Sequence, residues 1–343
     1  MVETDDRWMA RAVRLARKGF PAPNPRVGCV IVKEGELVGE GHHDHAGGPH
    51  AEAVALKVAG SRAKGATVYV TLEPCRHTGR TPPCVRALIH AQVRRVVVAT
   101  LDSNPVAAGG IQELRDAGVQ VDIGVLLAEA EDVNRVFLTA HRLQRSYVCL
   151  KAATSLDGFM APEHGASGWI TSERARRQGH KLRAEMGCVL VGRGTVVSDD
   201  PRLTARIRGV VNQPKRIVLD PSRRLSGKEQ VFSGPGSAVR VVGSDRGTVD
   251  DWVLPSRSGL FKPSELAQLA FSKGIVGMLV EGGPGTLAEF LRDGTGDQIE
   301  WFVSPNLLGS GKRFDLSMWT GEPWAWRLPR LLGEDVWLRA VRA

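Results

Sequence analysis

Pro49-His50-Ala51-Glu52, Glu73-Pro74-Cys75 and Thr81-Pro82-Pro83-Cys84 together decide how the chain is read. One imidazole (His50) and two thiols (Cys75 and Cys84) can hold a tetrahedral zinc ion with its fourth position open. A catalytic zinc needs that opening and a structural one lacks it. Glu52 lies two residues beyond His50 and is not required as a ligand, so it is free to carry protons for a water activated by the metal. The flanking pattern places these donors. His50 opens an apolar helix, Ala51 to Leu56. Val68 to Leu72 reads as a strand that delivers Cys75 at its end, and Cys84, after two prolines, opens a helix from Val85 to Ala91. A thiolate near a helix N-terminus is favoured by the dipole.

Working upstream, Asp5 or Asp6 caps a helix expected from Arg7 to Lys18, with Trp8, Ala12, Leu15 and Ala16 on one face and Gly19 as its stop. Pro21-Ala22-Pro23-Asn24-Pro25 is a rigid loop that holds Asn24 extended with its amide projecting. Asn24 reads equally as a turn residue or a ligand contact. Val27 to Val32 and Leu37 to Gly41 form a hairpin. His42-His43-Asp44-His45 lacks thiols for a second metal site, which leaves a substrate contact or solvated loop histidines. Downstream come a strand from Val93 to Thr100, a turn at Asp102-Ser103-Asn104-Pro105, a helix from Ile111 to Ala117 and a strand from Val119 to Ile123. This alternation predicts a three-layer α/β domain. Ligands of such sheets bind beyond the strand carboxyl ends, and Asn24, Cys75 and Asp102 all fall at or near predicted element ends.

A helix from Glu129 to Leu143 is expected to link the halves, with the boundary near Arg145, giving domains 1–145 and 146–343. Val148 to Ala153 starts the second as a strand. Thr171 or Ser172 caps a helix from Glu173 to Met186. A strand from Val189 to Val191 runs into Gly192-Arg193-Gly194-Thr195, and one from Val276 to Glu281 runs into Gly282-Gly283-Pro284-Gly285-Thr286 before a helix at Leu287. Strand, glycine loop and helix can cradle a phosphate. Tight structural turns would look the same, and neither loop carries the dinucleotide fingerprint. Arg183, Arg202, Arg206 and Arg208 nearby favour a nucleotide and a phosphorylated substrate.

Composition agrees with this reading. A chain of 343 residues, 42% hydrophobic, suits two cores. The net charge of +9 is scattered, without the basic-aromatic stripes of a nucleic-acid surface, so nucleic acid is not expected as a partner. Five cysteines are too few and too irregular for a disulfide scaffold, and Cys29, Cys149 and Cys188 sit in apolar strands as core residues. No apolar run reaches membrane-spanning length and no leader is visible. A cytoplasmic protein without membrane contact, its thiols reduced, is expected.

His-x-Glu followed by Pro-Cys is the arrangement of zinc-dependent base deaminases, whose general signature has two residues between the cysteines. Here eight intervene. With Asn24-Pro25, Val27-Gly28-Cys29, Gly48-Pro49-His50-Ala51-Glu52, Thr71-Leu72-Glu73-Pro74-Cys75 and Gly79-Arg80-Thr81-Pro82-Pro83-Cys84, the first half resembles the bifunctional riboflavin-biosynthesis deaminase–reductase family. The second half resembles that family's reductase through Lys151-Ala152-Ala153-Thr154-Ser155-Leu156-Asp157-Gly158, Ser167 to Ser172, His180 to Ala184, Gly194 to Pro201, Val280-Glu281-Gly282-Gly283 and Pro305 to Gly309.

The resemblance implies a cytidine-deaminase-like α/β/α domain joined to a dihydrofolate-reductase-like α/β domain. It implies zinc on His50, Cys75 and Cys84, with Glu52 as proton shuttle. The first domain would deaminate 2,5-diamino-6-ribosylamino-4(3H)-pyrimidinone 5′-phosphate, and NADPH in the second would reduce the ribosyl group to ribityl. Substrate contacts are implied at Asn24, His43, His77, Arg80, Asp102 and Asn104, then at Lys151, Ser167, Arg183, Leu203, Arg206 and Glu281. NADP contacts are implied at Ala153, Trp169, Thr195, Asp199, Gly283, Pro284, Gly285 and Thr286. Lys151 and Glu281 are the candidate groups for the sugar chemistry, with salt bridging as their alternative role. Arg183 and Arg206 would hold the 5′-phosphate. A homo-oligomer is expected. The chain departs from the family pattern at Val106 to Gly110, which is one residue shorter, and at Gly187, where the family carries an acid. Residues 246–262 and those after 311 match it poorly. The competing readings are a nucleic-acid base deaminase with a binding module and a non-catalytic zinc scaffold. The first predicts the two-residue cysteine spacing, the second a fourth protein ligand.

Overall fold

A computed structural model of the chain describes residues 2–77, 83–162, 168–244, 248–313 and 324–343. It divides into two compact units, Met1–Leu143 and Gln144–Ala343.

The first unit holds α1 (Val2–Ala16), β1 (Gly28–Lys33), β2 (Glu36–His42), α2 (Ala51–Ala59), β3 (Thr67–Leu72), α3 (Cys84–His90), β4 (Arg95–Thr100), α4 (Gly110–Asp116), β5 (Gln120–Ile123), α5 (Leu127–Val133) and α6 (Arg135–Leu143). The sheet order is β2-β1-β3-β4-β5. β1 runs antiparallel to β2 and β3, while β3, β4 and β5 are parallel. Strands buried on both faces read as continuous apolar runs, which is why β3 and β4 show no alternation. On one face Ile31, Val68, Val70, Val96 and Val98 pack against Ala51, Ala55, Val85, Leu88 and Leu114 of α2, α3 and α4. On the other, Val30, Tyr69, Val97 and Ala99 meet Trp8, Met9 and Ala12 of α1 and Ala130 of α5. Gly41 lets α2 seat closely, because a Cβ there would lie 2.5 Å from the Ala51 carbonyl oxygen. The N-terminus of α2, and with it His50, is thereby fixed against the sheet.

Two expectations change here. The first helix begins before Asp5, so Asp5 is no cap. Its carboxylate instead takes two hydrogen bonds from Arg95 (2.8 and 3.0 Å) and one from the Tyr69 hydroxyl. The single helix expected from Glu129 to Leu143 is two helices broken at buried Asn134, and both lie in the first unit. The Asn134 side chain accepts from the Arg26 N–H (2.8 Å) and donates to the Arg26 carbonyl (2.9 Å), so it serves a distant strand entry rather than a linker.

The second unit contains β6 (Tyr147–Thr154), β7 (Phe159–Ala161), α7 (Glu173–Met186), β8 (Cys188–Gly192), α8 (Arg193–Asp199), β9 (Lys215–Leu219), β10 (Ala238–Val242), β11 (Trp252–Val253), β12 (Ser256–Arg257), β13 (Leu260–Phe261), α9 (Pro263–Ser272), β14 (Gly277–Val280), α10 (Pro284–Arg292), β15 (Gln298–Val303), β16 (Lys312–Arg313), β17 (Trp324–Trp326), β18 (Arg330–Leu332) and β19 (Asp335–Arg342). Its large sheet runs β11-β10-β9-β8-β14-β6-β15-β19-β17, with β18 also on β19. From β11 to β15 neighbours are parallel, and β19 turns antiparallel. α9 and α10 cover the face bearing Val148, Leu150, Leu190, Met278 and Val280. Ser172 caps α7 as expected, its hydroxyl accepting from the Ala175 N–H. Gly187 closes α7 in the left-handed region at φ 71°, where the acid of the family pattern would be strained. Cys29, Cys149 and Cys188 are fully buried in β1, β6 and β8.

Both expected glycine loops of this unit are shorter than the sequence suggested. α8 starts directly after Gly192, and Pro284, Gly285 and Thr286 form the first turn of α10. The glycines serve packing: a Cβ on Gly282 would lie 2.5 Å from the Thr286 Cβ, and one on Gly192 2.9 Å from its hydroxyl.

Candidate functional site

In the first unit, the helix α2 start, the end of β3 and the helix α3 start converge. His50 precedes α2, Cys75 follows β3 and Cys84 opens α3. Their ligand atoms lie within 4.8 Å of one another. His50 Nδ1 is 3.3 Å from the Cys84 sulfur and 3.6 Å from the Cys75 sulfur. The Cys84 thiol beside Cys75, helped by His50, overcomes burial and pushes the Cys75 thiol below its usual range. Two sulfurs and an imidazole, one sulfur already disposed to be a thiolate, fit zinc's donor preference. Glu52 is buried in the first turn of α2, and burial raises its carboxyl above the usual range.

Around this cluster the polar residues form a chain. His43 is buried, and its ring meets that of His50 edge to face at 5.3 Å. A carbonyl oxygen can only accept, so His43 Nδ1–H donates to the Pro49 oxygen (3.0 Å) and Nε2 accepts from the Asn24 amide (3.0 Å). That fixes the His43 tautomer and orients Asn24. Asp102 is raised to about 6 by burial and by neighbouring Glu73 and Cys75, against the hydrogen bond from the Asn104 N–H. His77 Nδ1 is buried without a partner among the described residues. Arg80 and Ser167 lie outside the described residues.

In the second unit, Lys151 of β6, Glu281 after β14 and Arg183 of α7 share the sheet face opposite Val148, Leu150 and Val280. Arg183 donates to both Glu281 oxygens (2.6 and 2.8 Å) and to the Thr204 carbonyl (3.1 Å). Burial works against ionising Glu281, but the Arg183 charge and hydrogen bonds, with Lys151, bring it down to about 2. The same burial lowers Lys151, with Glu281 opposing. The Lys151 ammonium lies 5.8 Å from the Phe302 ring centre. Arg206 donates to the Thr204 hydroxyl (3.0 Å), and Leu203 is buried. Arg183 is thus paired with a carboxylate rather than displayed to solvent. Ala153, Thr195, Asp199 and the Gly283–Thr286 turn lie at or beyond the carboxyl ends of β6, β8 and β14, the edge where such sheets take ligands. Trp169 is exposed with the Arg176 guanidinium 4.9 Å over its ring. Thr204, which ties Arg183, His180 and Arg206 together, was not singled out in the sequence, where a threonine between leucine and alanine gives no signal.

Residues 2–100 match the family model of the cytidine and deoxycytidylate deaminase zinc-binding region, and residues 146–316 match that of the RibD C-terminal domain. Fold and site therefore define a zinc deaminase fused to a reductase. The riboflavin biosynthesis protein RibD of Aquifex aeolicus is 44% identical over 317 residues, 90% of this chain and 89% of that protein. RibD of Acinetobacter baumannii superposes with a TM-score of 0.90 at 38% identity, both chains fully covered. A Thermotoga maritima structure titled diaminohydroxyphosphoribosylaminopyrimidine deaminase/5-amino-6-(5-phosphoribosylamino)uracil reductase gives 0.87 at 33% identity, covering 100% of this chain and 99% of that one. The chain belongs to the RibD family of riboflavin biosynthesis, enzymes that are deaminase and reductase at once.

Proposed function

We propose that the first unit hydrolyses the 2-amino group of 2,5-diamino-6-ribosylamino-4(3H)-pyrimidinone 5′-phosphate at His50, Cys75, Cys84 and Glu52, and that the second reduces the ribosyl side chain at Lys151 and Glu281. The observation that carries this is the buried cluster of one imidazole and two thiols with a buried carboxyl beside it. Zinc held by the three donors supplies Lewis acidity that makes water nucleophilic near neutral pH. Glu52 takes the proton of that water as oxygen joins the ring carbon, then delivers it to nitrogen as the C–N bond breaks and ammonia leaves. Asn24, oriented by His43, holds the ring, and His77, Asp102 and Asn104 close around it, with Arg80 a further substrate contact on the family pattern alone.

Ala153, Trp169, Thr195, Asp199 and residues 283–286 would hold NADPH, which would supply the hydride for C1 of the opened sugar. Lys151 gives a proton to the oxygen freed by ring opening, and ionised Glu281 keeps the lysine charged until then. Arg183, Leu203 and Arg206 line the substrate's path, with Arg206 on its phosphate, and Ser167 is a further substrate contact on the family pattern alone. We place the enzyme in the cytoplasm, supported by five free thiols of which two are metal donors. We read it as a homo-oligomer, supported by exposed Trp326 of β17, Leu331 of β18 and Leu328 between them. The test supplies the diaminopyrimidine phosphate to zinc-loaded enzyme and follows ammonia, then adds NADPH and follows its absorbance. Ammonia first and NADPH oxidation second are expected. NADPH oxidation without prior ammonia release would overturn the order.

A further inference from the structure

Glu73 is buried, sits two residues before Cys75, and has no part in the chemistry described so far. Its carboxylate accepts three backbone N–H groups from one loop. Oε1 takes Gly109 (2.9 Å) and Ile111 (3.2 Å), and Oε2 takes Asp102 (3.2 Å). The donors stand at the two ends of the connection between β4 and α4, so one side chain clasps that loop shut. The rest of the loop is seated on the same strand end. Arg76 N–H bonds the Ala107 carbonyl (3.4 Å), Ala107 packs on Cys75 and Cys84, and a Cβ on Gly110 would lie 2.0 Å from the Pro74 oxygen. Within the loop, Asp102 accepts from the Asn104 N–H (2.8 Å) and Asn104 from the Val106 N–H (3.2 Å). A neutral turn would satisfy these N–H groups from water. A buried carboxylate is retained only where it is fully bonded, and this one ties loop position to the backbone that carries Cys75.

We propose that Glu73 is a positioning residue of the deaminase: it sets the height and register of the 102–110 loop over the metal cluster, so that Asp102 and Asn104 meet the pyrimidine. This rests on the substrate roles proposed above for those two residues. Glu73→Gln keeps the volume but turns one end of the clasp into a donor facing donors. It is expected to raise KM for the diaminopyrimidine phosphate about tenfold or more, as loss of a hydrogen bond to a charged group predicts. Within the same chain kcat should stay within about twofold, and zinc content and NADPH-dependent reduction should be unchanged. Amide exchange at Gly109 and Ile111 should quicken before exchange elsewhere in the unit.

Asp102→Ala raises KM by itself, and adding Glu73→Gln to it should cost little more, because both act through one loop. If Glu73→Gln does not fold, Glu73→Asp carries the same test, since it keeps the charge but is too short to reach both ends. Should Asp102→Ala leave KM unchanged, the substrate role of the loop fails and the inference with it. Should Asp102→Ala raise KM while the Glu73 variants do not, the positioning role alone is overturned. Loss of zinc with a matching fall in kcat would also overturn it, by making Glu73 a structural support of the metal site.

Discussion

Arg183→Met removes the guanidinium from a buried pair while nearly conserving volume, and its cost can be worked from the structure. The two side chains are 15% and 9% exposed, so solvent screens the pair little. Glu281 is held at about 2 instead of its ordinary 4.5, which corresponds to about 3 kcal/mol of stability at neutral pH. That agrees with the ~3–5 kcal/mol usual for stripping one partner from a buried pair, and neighbouring Lys151 favours the lower end. The sign reverses with pH. In the wild type the Glu281 contribution is present above about 4.5 and lost as pH falls towards 2. In the variant burial dominates, the carboxyl moves above its ordinary value, and its contribution is lost as pH rises. The deficit against wild type should therefore be largest at pH 8 and shrink towards pH 4.5. Seven of the eight tryptophans lie in the second unit, so urea unfolding followed by their fluorescence reports mainly on it. Ammonia release should be unaffected. A deficit under about 1 kcal/mol at pH 8, as for a surface pair, or one equal at both pH values, would refute the reasoning.

Glu52→Gln should retain zinc by elemental analysis and lose about a hundredfold or more of ammonia release; retention of the normal rate would remove the proton-shuttle role. Lys151→Ala should leave deamination intact and slow NADPH oxidation about a hundredfold or more, and equal loss of both activities would argue against separate sites. Stripping zinc with a chelator should abolish ammonia release and spare NADPH oxidation when the deaminated product is supplied, with zinc alone restoring the first. Glu300 is raised to about 7 by burial, although Gln298 and Trp337 donate to it. Its contribution is full below about 4.5 and lost as pH rises through 7, so wild-type stability of the second unit should decline from about pH 4.5 to 7 and level off above. Glu300→Gln should flatten that decline in fluorescence-detected melts, and an unchanged slope would assign it to another group.

What was legible in the sequence was local. The three metal donors could be named because the strand that ends at Cys75 and the helices begun by His50 and Cys84 each announce themselves in adjacent residues. The Ser172 cap was readable for the same reason. What was not legible depended on partners far along the chain. Asp5 looks like a cap until Arg95, 90 residues later, takes its carboxylate. Asn134 looks like one more position on a helix until Arg26 claims its amide. Arg183 reads as a phosphate ligand, yet Glu281, 98 residues away, meets its guanidinium. The glycines at 192 and 282 suggest loops because glycine does, whereas here they make room for Thr286 from a neighbouring turn.

The two units place a buried glutamate at a comparable location, beside a strand end, and treat it oppositely. Glu52 sits among thiols and an imidazole with no guanidinium bonded to it among the described residues, and burial raises its carboxyl. Glu281 is also largely shielded from solvent but is bonded twice by Arg183, and is ionised down to about 2. A carboxyl whose charged form burial disfavours is the more ready to take up a proton, which suits the shuttle that hydrolysis needs. One that never leaves the ionised state cannot shuttle, and suits fixing a cation. Under the proposed roles this separates the chemistry of the two units: the acid and base of deamination is a carboxyl, whereas the proton donor of reduction is Lys151. The arginine at 183 is what makes the second glutamate unfit for the work of the first.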